Sequence, residues 1–292
     1  MAKQTGIAWC KSTFNPWIGC QKTGPGCDNC YAEALDARRI FQGEIHFGPR
    51  APRLRTSDSN WNQVRRWNRQ AQDAEFAGQK GFWPVFCASL ADIFDNEVDP
   101  SWRADFWALV KECSNLTFLV LTKRIGNAAK MLPADWGDGY PNVWIGATVV
   151  NQDEADRDIP RLLALPAAKR FLSMEPLLGS VDLVTQGWLE KTDCMGAPKP
   201  GLDWVIAGGE STDEARPMHP VWAESLHQQC GMAGVPFLFK QWGEWRPAPE
   251  IIGARGSLFH RFEDGVWVQK YGTKSNGCSL AGREVKQWPI AV

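Results

Sequence analysis

Asn15-Pro16-Trp17-Ile18-Gly19-Cys20-Gln21-Lys22-Thr23-Gly24-Pro25-Gly26-Cys27-Asp28-Asn29-Cys30-Tyr31-Ala32-Glu33 packs three of the chain's nine cysteines into eleven residues. Glycine and proline punctuate the first gap, so Cys20 to Cys27 reads as an irregular loop able to wrap a ligand. The run from Tyr31 to Ile40 reads as a helix with the last cysteine at its N-terminus. Three thiolates on one loop suit a soft metal centre, and an iron–sulfur cluster held by three cysteines keeps one iron open to a ligand that is not protein. Two other readings stand beside it: a structural zinc site with Cys10 as fourth ligand, and ordinary reduced cysteines.

The remaining thiols fall into two groups. Cys87, Cys113 and Cys230 sit in apolar or helical runs and read as buried small hydrophobes, while Cys194 and Cys278 lie in expected loops. An odd number of cysteines, no signal peptide and a motif that needs free thiols argue against a disulfide framework and place the chain in the cytoplasm.

The chain has 292 residues, 44% of them hydrophobic, and no apolar run near the roughly eighteen residues that cross a bilayer. That predicts a soluble, enzyme-sized protein with an ample core and no membrane association. A formal net charge of -1 excludes a globally basic nucleic-acid binder, though not a local basic patch. Sixteen tryptophans against three tyrosines is an unusual ratio, and most, such as Trp9, Trp102 and Trp107, read as core or helix-packing residues.

Short β-prone runs recur at Pro84 to Ser89, Leu116 to Leu121, Val143 to Val149, Arg170 to Met174, Trp204 to Ala207 and Pro236 to Phe239. Helical patterns lie between them at Ser101 to Cys113, Gln152 to Leu163 and Val221 to Met232. This alternation predicts parallel βαβ units. With one more strand before Cys20, about seven strands fit a complete or partial β/α barrel, and a flat doubly wound sheet is the competitor. The expected division is a barrel over 1–245 with a basic insertion at about 41–80, followed by a β-hairpin cap over 246–292. Two runs, Leu258 to Phe262 and Val266 to Gln269, joined through Glu263-Asp264-Gly265, carry the hairpin signal.

Each expected strand ends in polar residues: Ser89 with Asp92, Thr122-Lys123-Arg124, Thr148 with Asn151, Glu175, Gly208-Gly209-Glu210-Ser211, and Lys240-Gln241-Trp242. In parallel barrels the chemistry gathers at these C-terminal ends. Together they suit a ligand bearing an ammonium, a carboxylate and a ribose. For Gly208 and Gly209 the plain alternative is a tight turn needing positive φ.

The segment Asn-Pro-aromatic-x-Gly-Cys followed by Cys-x-x-Cys-Tyr-Ala-Glu resembles the cluster loop of radical S-adenosylmethionine enzymes, particularly the spore-photoproduct-lyase-like branch. The resemblance runs nearly end to end with the phage-associated three-Cys-motif proteins, through Leu121-Thr122-Lys123-Arg124, Phe171-Leu172-Ser173-Met174-Glu175-Pro176-Leu177-Leu178-Gly179, Ala207-Gly208-Gly209-Glu210-Ser211 and Phe239-Lys240-Gln241-Trp242-Gly243-Glu244-Trp245. One departure is that six residues, not three, separate Cys20 from Cys27. The resemblance implies a radical-enzyme barrel in which Cys20, Cys27 and Cys30 bind a [4Fe-4S] cluster. It also implies S-adenosylmethionine, cleaved reductively to a 5'-deoxyadenosyl radical, and an electron donor such as flavodoxin or ferredoxin. The residues it points to for the cofactor are Tyr31 beside the adenine, Ser89 and Asp92 for the amine and carboxylate, Glu175 for a ribose hydroxyl or ammonium, and Lys123, Thr148 and Glu210 on the same rim. By analogy with the lyase branch the substrate is a nucleic-acid base, met in repair or modification.

Between Arg38 and Arg69 eight arginines face only Glu44 and Asp58, a formal excess of +6. Arg50, Arg53, Arg55, Arg65, Arg66 and Arg69, interleaved with Trp61 and Trp67, are the mixture expected of a groove that tracks a phosphate backbone of DNA or RNA. The alternative for the same residues is a solvated helix face. For the whole chain the alternative function is a zinc-stabilised DNA-binding accessory protein without catalysis. His219 and His260 lack partners at metal spacing and take no role.

Overall fold

The structure, a computed structural model, describes residues 5–248 and 258–289. Seven strands form one parallel sheet: β1 (Ser12–Thr13), β2 (Pro84–Cys87), β3 (Thr117–Thr122), β4 (Val143–Thr148), β5 (Lys169–Met174), β6 (Trp204–Gly208) and β7 (Phe237–Gln241). Their order in space is their order in sequence. A doubly wound sheet reverses its strand order at a switch point, so this monotonic order excludes it. β1 and β7 do not pair with each other, which leaves a partial barrel in place of a closed one. Seven α-helices lie along the described residues: α1 (Tyr31–Asp36), α2 (Asp58–Ala71), α3 (Pro100–Glu112), α4 (Ile125–Met131), α5 (Gln152–Leu163), α6 (Pro220–Ala233) and the single-turn α7 (Thr273–Asn276).

The strand residues separate into two cores with the two-residue period of a pleated strand. Val85, Cys87, Phe118, Val120, Ile145 and Leu172 face the helices. The alternate residues Phe86, Leu119, Trp144, Phe171, Trp204 and Leu238 face inward and form a separate cluster with Trp9 and Phe82. Ring centroids lie 4.4 Å apart for Trp9 and Phe86, 6.0 Å for Phe171 and Trp204, and 4.9 Å for Trp204 and Trp288. An aromatic plug thus fills the lower half of the barrel. Gly146 belongs to this face because a Cβ there would stand 2.4 Å from the Phe171 ring.

The helix side accounts for many of the other tryptophans. α2 buries Trp61, Val64 and Trp67 on one stripe, with Trp61 and Trp67 only 5% and 3% exposed. α3 begins at Asp99, whose carboxylate accepts from Ser101 N at 2.8 Å, with Pro100 in its first turn. Cys87, Cys113 and Cys230 are fully buried in this layer.

After β7 the chain forms a three-stranded antiparallel sheet from β8 (Trp245–Pro247), β9 (Phe259–Arg261) and β10 (Trp267–Lys270). Gly265 turns the β9–β10 hairpin at φ +91. The last described residues return to the barrel. Phe239 N donates to Val285 O and Gln287 N to Phe237 O, covering the open edge of β7, and Trp288 enters the aromatic plug. Among the described residues no helix is long and apolar enough to cross a membrane.

Candidate cofactor and metal-cluster site

Following the inward row of each strand past the aromatic plug leads to polar residues. Leu121 is succeeded by Lys123, Trp144 and Gly146 by Thr148, Phe171 by Ser173 and Glu175, and Leu238 by Lys240. All five polar side chains line one cavity of about 490 Å³ above the plug, whose floor is Trp9, Phe86 and Leu121. Cys20, Cys27 and Cys30, from the segment that follows β1, line the same cavity together with Tyr31 at the start of α1. Cys10 does not; it lies beneath, 3% exposed, where burial pushes its thiol up to about 12.

The free groups on this wall are the informative ones. The Thr148 hydroxyl is buried without a hydrogen-bond partner, and the Lys123 ammonium has none among the described residues. Thr148 stands beside Ser173 in the β4–β5 register. Two residues beyond Ser173 the Glu175 carboxylate pairs with Lys240 of the β7 end at 2.9 Å. An unsatisfied buried hydroxyl costs free energy that a bound polar ligand recovers, so this side of the cavity is built for an occupant carrying charged and hydroxyl groups.

Other expected cofactor residues have protein partners instead. Asp92 is 4% exposed and accepts from Thr122 Oγ1 at 2.7 Å, Lys123 N at 3.0 Å and Phe94 N at 2.9 Å. It ties the segment after β2 to the end of β3, and its carboxylate is saturated. The Ser89 hydroxyl is engaged with the Asn15 amide at 3.1 Å, and Ser89 O accepts from Tyr31 OH at 2.6 Å. Tyr31 therefore closes one side of the cavity with its ring half exposed. Glu210 accepts from Arg216 Nη2 at 2.7 Å, Arg216 Nε at 3.0 Å and Asn29 Nδ2 at 3.1 Å. Burial pushes its carboxyl up, but these hydrogen bonds outweigh that and hold it below the usual carboxylate value. The preceding glycines do not adopt positive φ. A Cβ on Gly209 would stand 2.0 Å from Trp242 O, and one on Gly208 2.8 Å from Glu175 Oε1, so close approach of neighbouring strands is what selects glycine there.

Arg216 also donates to Asp28 Oδ2 at 3.0 Å and to Pro25 O at 2.8 Å. The Cys27–Cys30 loop is thereby fastened to the segment after β6. Cys20 is fastened by Arg124, whose Nη1 lies 3.2 Å from the sulfur and whose Nη2 donates to Gln21 O at 2.7 Å. Burial, with Asp92 adding to it and Arg124 opposing it, pushes the Cys20 thiol up to about 12.

Among the described residues no group of three or more Cys, His, Asp or Glu side chains stands close enough together, as placed, to hold a metal ion. The donor set itself would suit a three-thiolate iron–sulfur cluster, because all three cysteines border the cavity that contains the unpartnered Thr148 hydroxyl.

The basic insertion is placed differently from the expectation. Trp61 and Trp67 are core residues, so neither offers a ring face to a base. Arg53 is 8% exposed and its Nε binds Asp95 at 2.8 Å, bracing the loop around His46 O and Ala51 O. Arg55 stacks over Trp61 and pairs with Asp105. Arg65 pairs with Glu112 at the end of α3, and Asn68 accepts from Asn115 N just before β3 begins. Arg65, Arg66 and Arg69 thus lie toward the strand N-termini, away from the cavity mouth. Arg50 is exposed two residues after Gly48, whose N–H donates to Cys20 O.

A family model described as "protein of unknown function (DUF5131)" matches residues 4–289. The chain belongs to this DUF5131 family. Among curated proteins none matches its sequence. One solved structure similar to the DUF5131 chain is a spore photoproduct lyase variant with bound AdoMet and a dinucleoside spore photoproduct, at 9% identity and TM-score 0.43, covering 91% of this chain and 70% of that one.

Sequence reasoning did not assign a role to Arg124, Arg216, Asn29 or Ser173. Ser173 was open to the same two-residue period that picks out Thr148 and Glu175, once the inward face of β5 is known. Arg216 follows no strand end and carries no local signal.

Proposed function

We propose that this DUF5131 chain is an iron–sulfur enzyme of the radical S-adenosylmethionine type. The observation that carries the reading is the meeting of Cys20, Cys27 and Cys30 with Lys123, Thr148 and Glu175 around one cavity. Cys20, Cys27 and Cys30 would hold a [4Fe-4S] cluster. When bound, the cluster and S-adenosylmethionine supply one-electron reductive cleavage of the sulfonium and hydrogen abstraction from a substrate. Lys123 and the Thr148 hydroxyl suit the cofactor carboxylate, and Glu175, already beside Lys240, suits its ammonium or a ribose hydroxyl. Trp9, Phe86 and Leu121 exclude water from below. The absence of Cys10 from the cavity wall weighs against a closed four-cysteine zinc site.

The substrate class proposed is a nucleic-acid base presented at the mouth. Arg50, in the segment that Gly48 N joins to Cys20 O, and Arg38 and Arg39 just after α1 are exposed and would meet phosphates. The test is anaerobic reconstitution with iron and sulfide, then dithionite and S-adenosylmethionine. The expected result is a brown protein that releases 5'-deoxyadenosine. A colourless protein that takes up zinc and no iron overturns the reading.

A further inference from the structure

We propose that Arg124 sets the reduction potential of the cluster through its contact with the Cys20 sulfur. This rests on the cluster reading above and gives Arg124, which the strand-end pattern includes only as part of a polar rim, a role toward the cluster. Arg124 is a positioning residue acting through Cys20.

The contact is held from behind. The Arg124 side chain is 6% exposed, with Nη1 3.2 Å from Cys20 Sγ, 3.6 Å between Nη1 and Asp92 Oδ2, and 3.8 Å between Nε and Asp95 Oδ1. Asp92 is fixed by Thr122 Oγ1 and Lys123 N, and Asp95 by Arg53 Nε at 2.8 Å. Arg103 Nη2 donates to Asp95 O at 2.7 Å and completes the cage. With Nη2 on Gln21 O the guanidinium has no free direction in which to swing away. The N–H donor is therefore aimed at the sulfur by the fold itself.

A neutral donor would anchor Gln21 O equally well, and burying a guanidinium beside a thiol carries a desolvation cost. What the cation adds is electrostatic. Reduction places one electron, delivered by a low-potential one-electron donor, on a cluster that is already thiolate-ligated, and no bond need break. A buried positive charge with an N–H aimed at one ligating sulfur stabilises the more negative, reduced form, and so raises the potential. The backing carboxylates moderate that effect and keep the donor in place.

The test is an EPR-monitored redox titration of reconstituted full-length wild type, Arg124→Gln and Arg124→Lys, with iron content measured on each. Wild type and both variants are expected to carry the same iron. Arg124→Gln should show a midpoint potential clearly more negative than wild type. Arg124→Lys keeps the charge but cannot reach Cys20 and Gln21 together through a planar fork, and should fall between them. A wild type that binds no iron overturns the cluster reading and this inference together. A wild type that carries the cluster, with the same potential in Arg124→Gln, overturns this inference alone. If Arg124→Gln fails to hold iron, Arg124→Lys decides: a shift to lower potential supports the role, and an unchanged potential overturns it.

Discussion

Arg216 grips Glu210 through both carboxylate oxygens, at 2.7 Å and 3.0 Å, while its own guanidinium reaches Asp28 and Pro25 on the cysteine loop. The pair joins the end of β6 to a loop nearly two hundred residues earlier in the chain. A glycine-glycine-glutamate element at a strand end thus serves as a latch for the Cys27–Cys30 loop, with both carboxylate oxygens engaged by Arg216.

Glu210→Gln should cost about 1–3 kcal/mol, since it leaves the Arg216 charge without its carboxylate. The pH dependence follows from the direction of the shift. A carboxyl held below its usual value in the fold adds stability at every pH above its unfolded value, about 4.3 for glutamate. That contribution is lost as pH falls through the lower folded value. Thermal unfolding of wild type and variant should therefore differ most above about pH 5 and converge as pH falls below the unfolded value and through the lower folded one. A gap that persists unchanged at acid pH would remove the ion pair as its cause.

Cys20, Cys27 and Cys30 should act as a unit. Alanine at any one is expected to remove most cluster iron, whereas Cys10→Ala and Cys230→Ala, which alter buried thiols away from the cavity wall, should leave it. Iron and sulfide assays on protein reconstituted side by side decide this. Equal dependence on Cys10, with zinc in the site, would contradict it.

Cofactor affinity should depend on the free wall. Lys123→Ala and Thr148→Val remove groups that have no partner among the described residues, so they should weaken S-adenosylmethionine binding about tenfold or more each, with little effect on thermal stability. Asp92→Asn should behave in the opposite way, lowering stability by about 1–3 kcal/mol because it weakens the bonds from Thr122 Oγ1 and Lys123 N. Calorimetry and thermal unfolding on the same preparations separate the two classes. Unchanged affinity in Lys123→Ala would exclude that ammonium from the site.

The parallel strands and the cysteine loop were legible in the sequence because both signals are local: apolar runs of strand length, and thiols spaced along one loop. Partial closure was not, because it depends on whether β1 and β7 meet. The tryptophans of α2 illustrate the same limit. Trp61 and Trp67 beside arginines give one composition whether the ring faces solvent or core, and only the stripe they share with Val64 and Ala71 resolves it. Glu210 was legible as a strand-end acid, yet its partner Arg216 decides what that acid does, and nothing local announces the pairing.

Nucleic-acid affinity, if it serves the cavity, should come from the mouth and not from α2. Replacing Arg38, Arg39 and Arg50 together should weaken DNA or RNA binding and flatten the dependence of log affinity on log salt by about 0.7 to 0.9 units for each phosphate no longer neutralised. Replacing Arg66 and Arg69 should change little, because they sit toward the strand N-termini, next to the Asn68–Asn115 pair. Trp67→Ala should instead cost about 3–5 kcal/mol of folding stability, as a buried ring does, and act on binding only through unfolding. Fluorescence anisotropy at several salt concentrations distinguishes the surfaces. Strong weakening from the Arg66 and Arg69 replacements alone would move the interface to the helix layer, and no affinity in wild type even at low salt would turn the substrate search to small molecules or peptides.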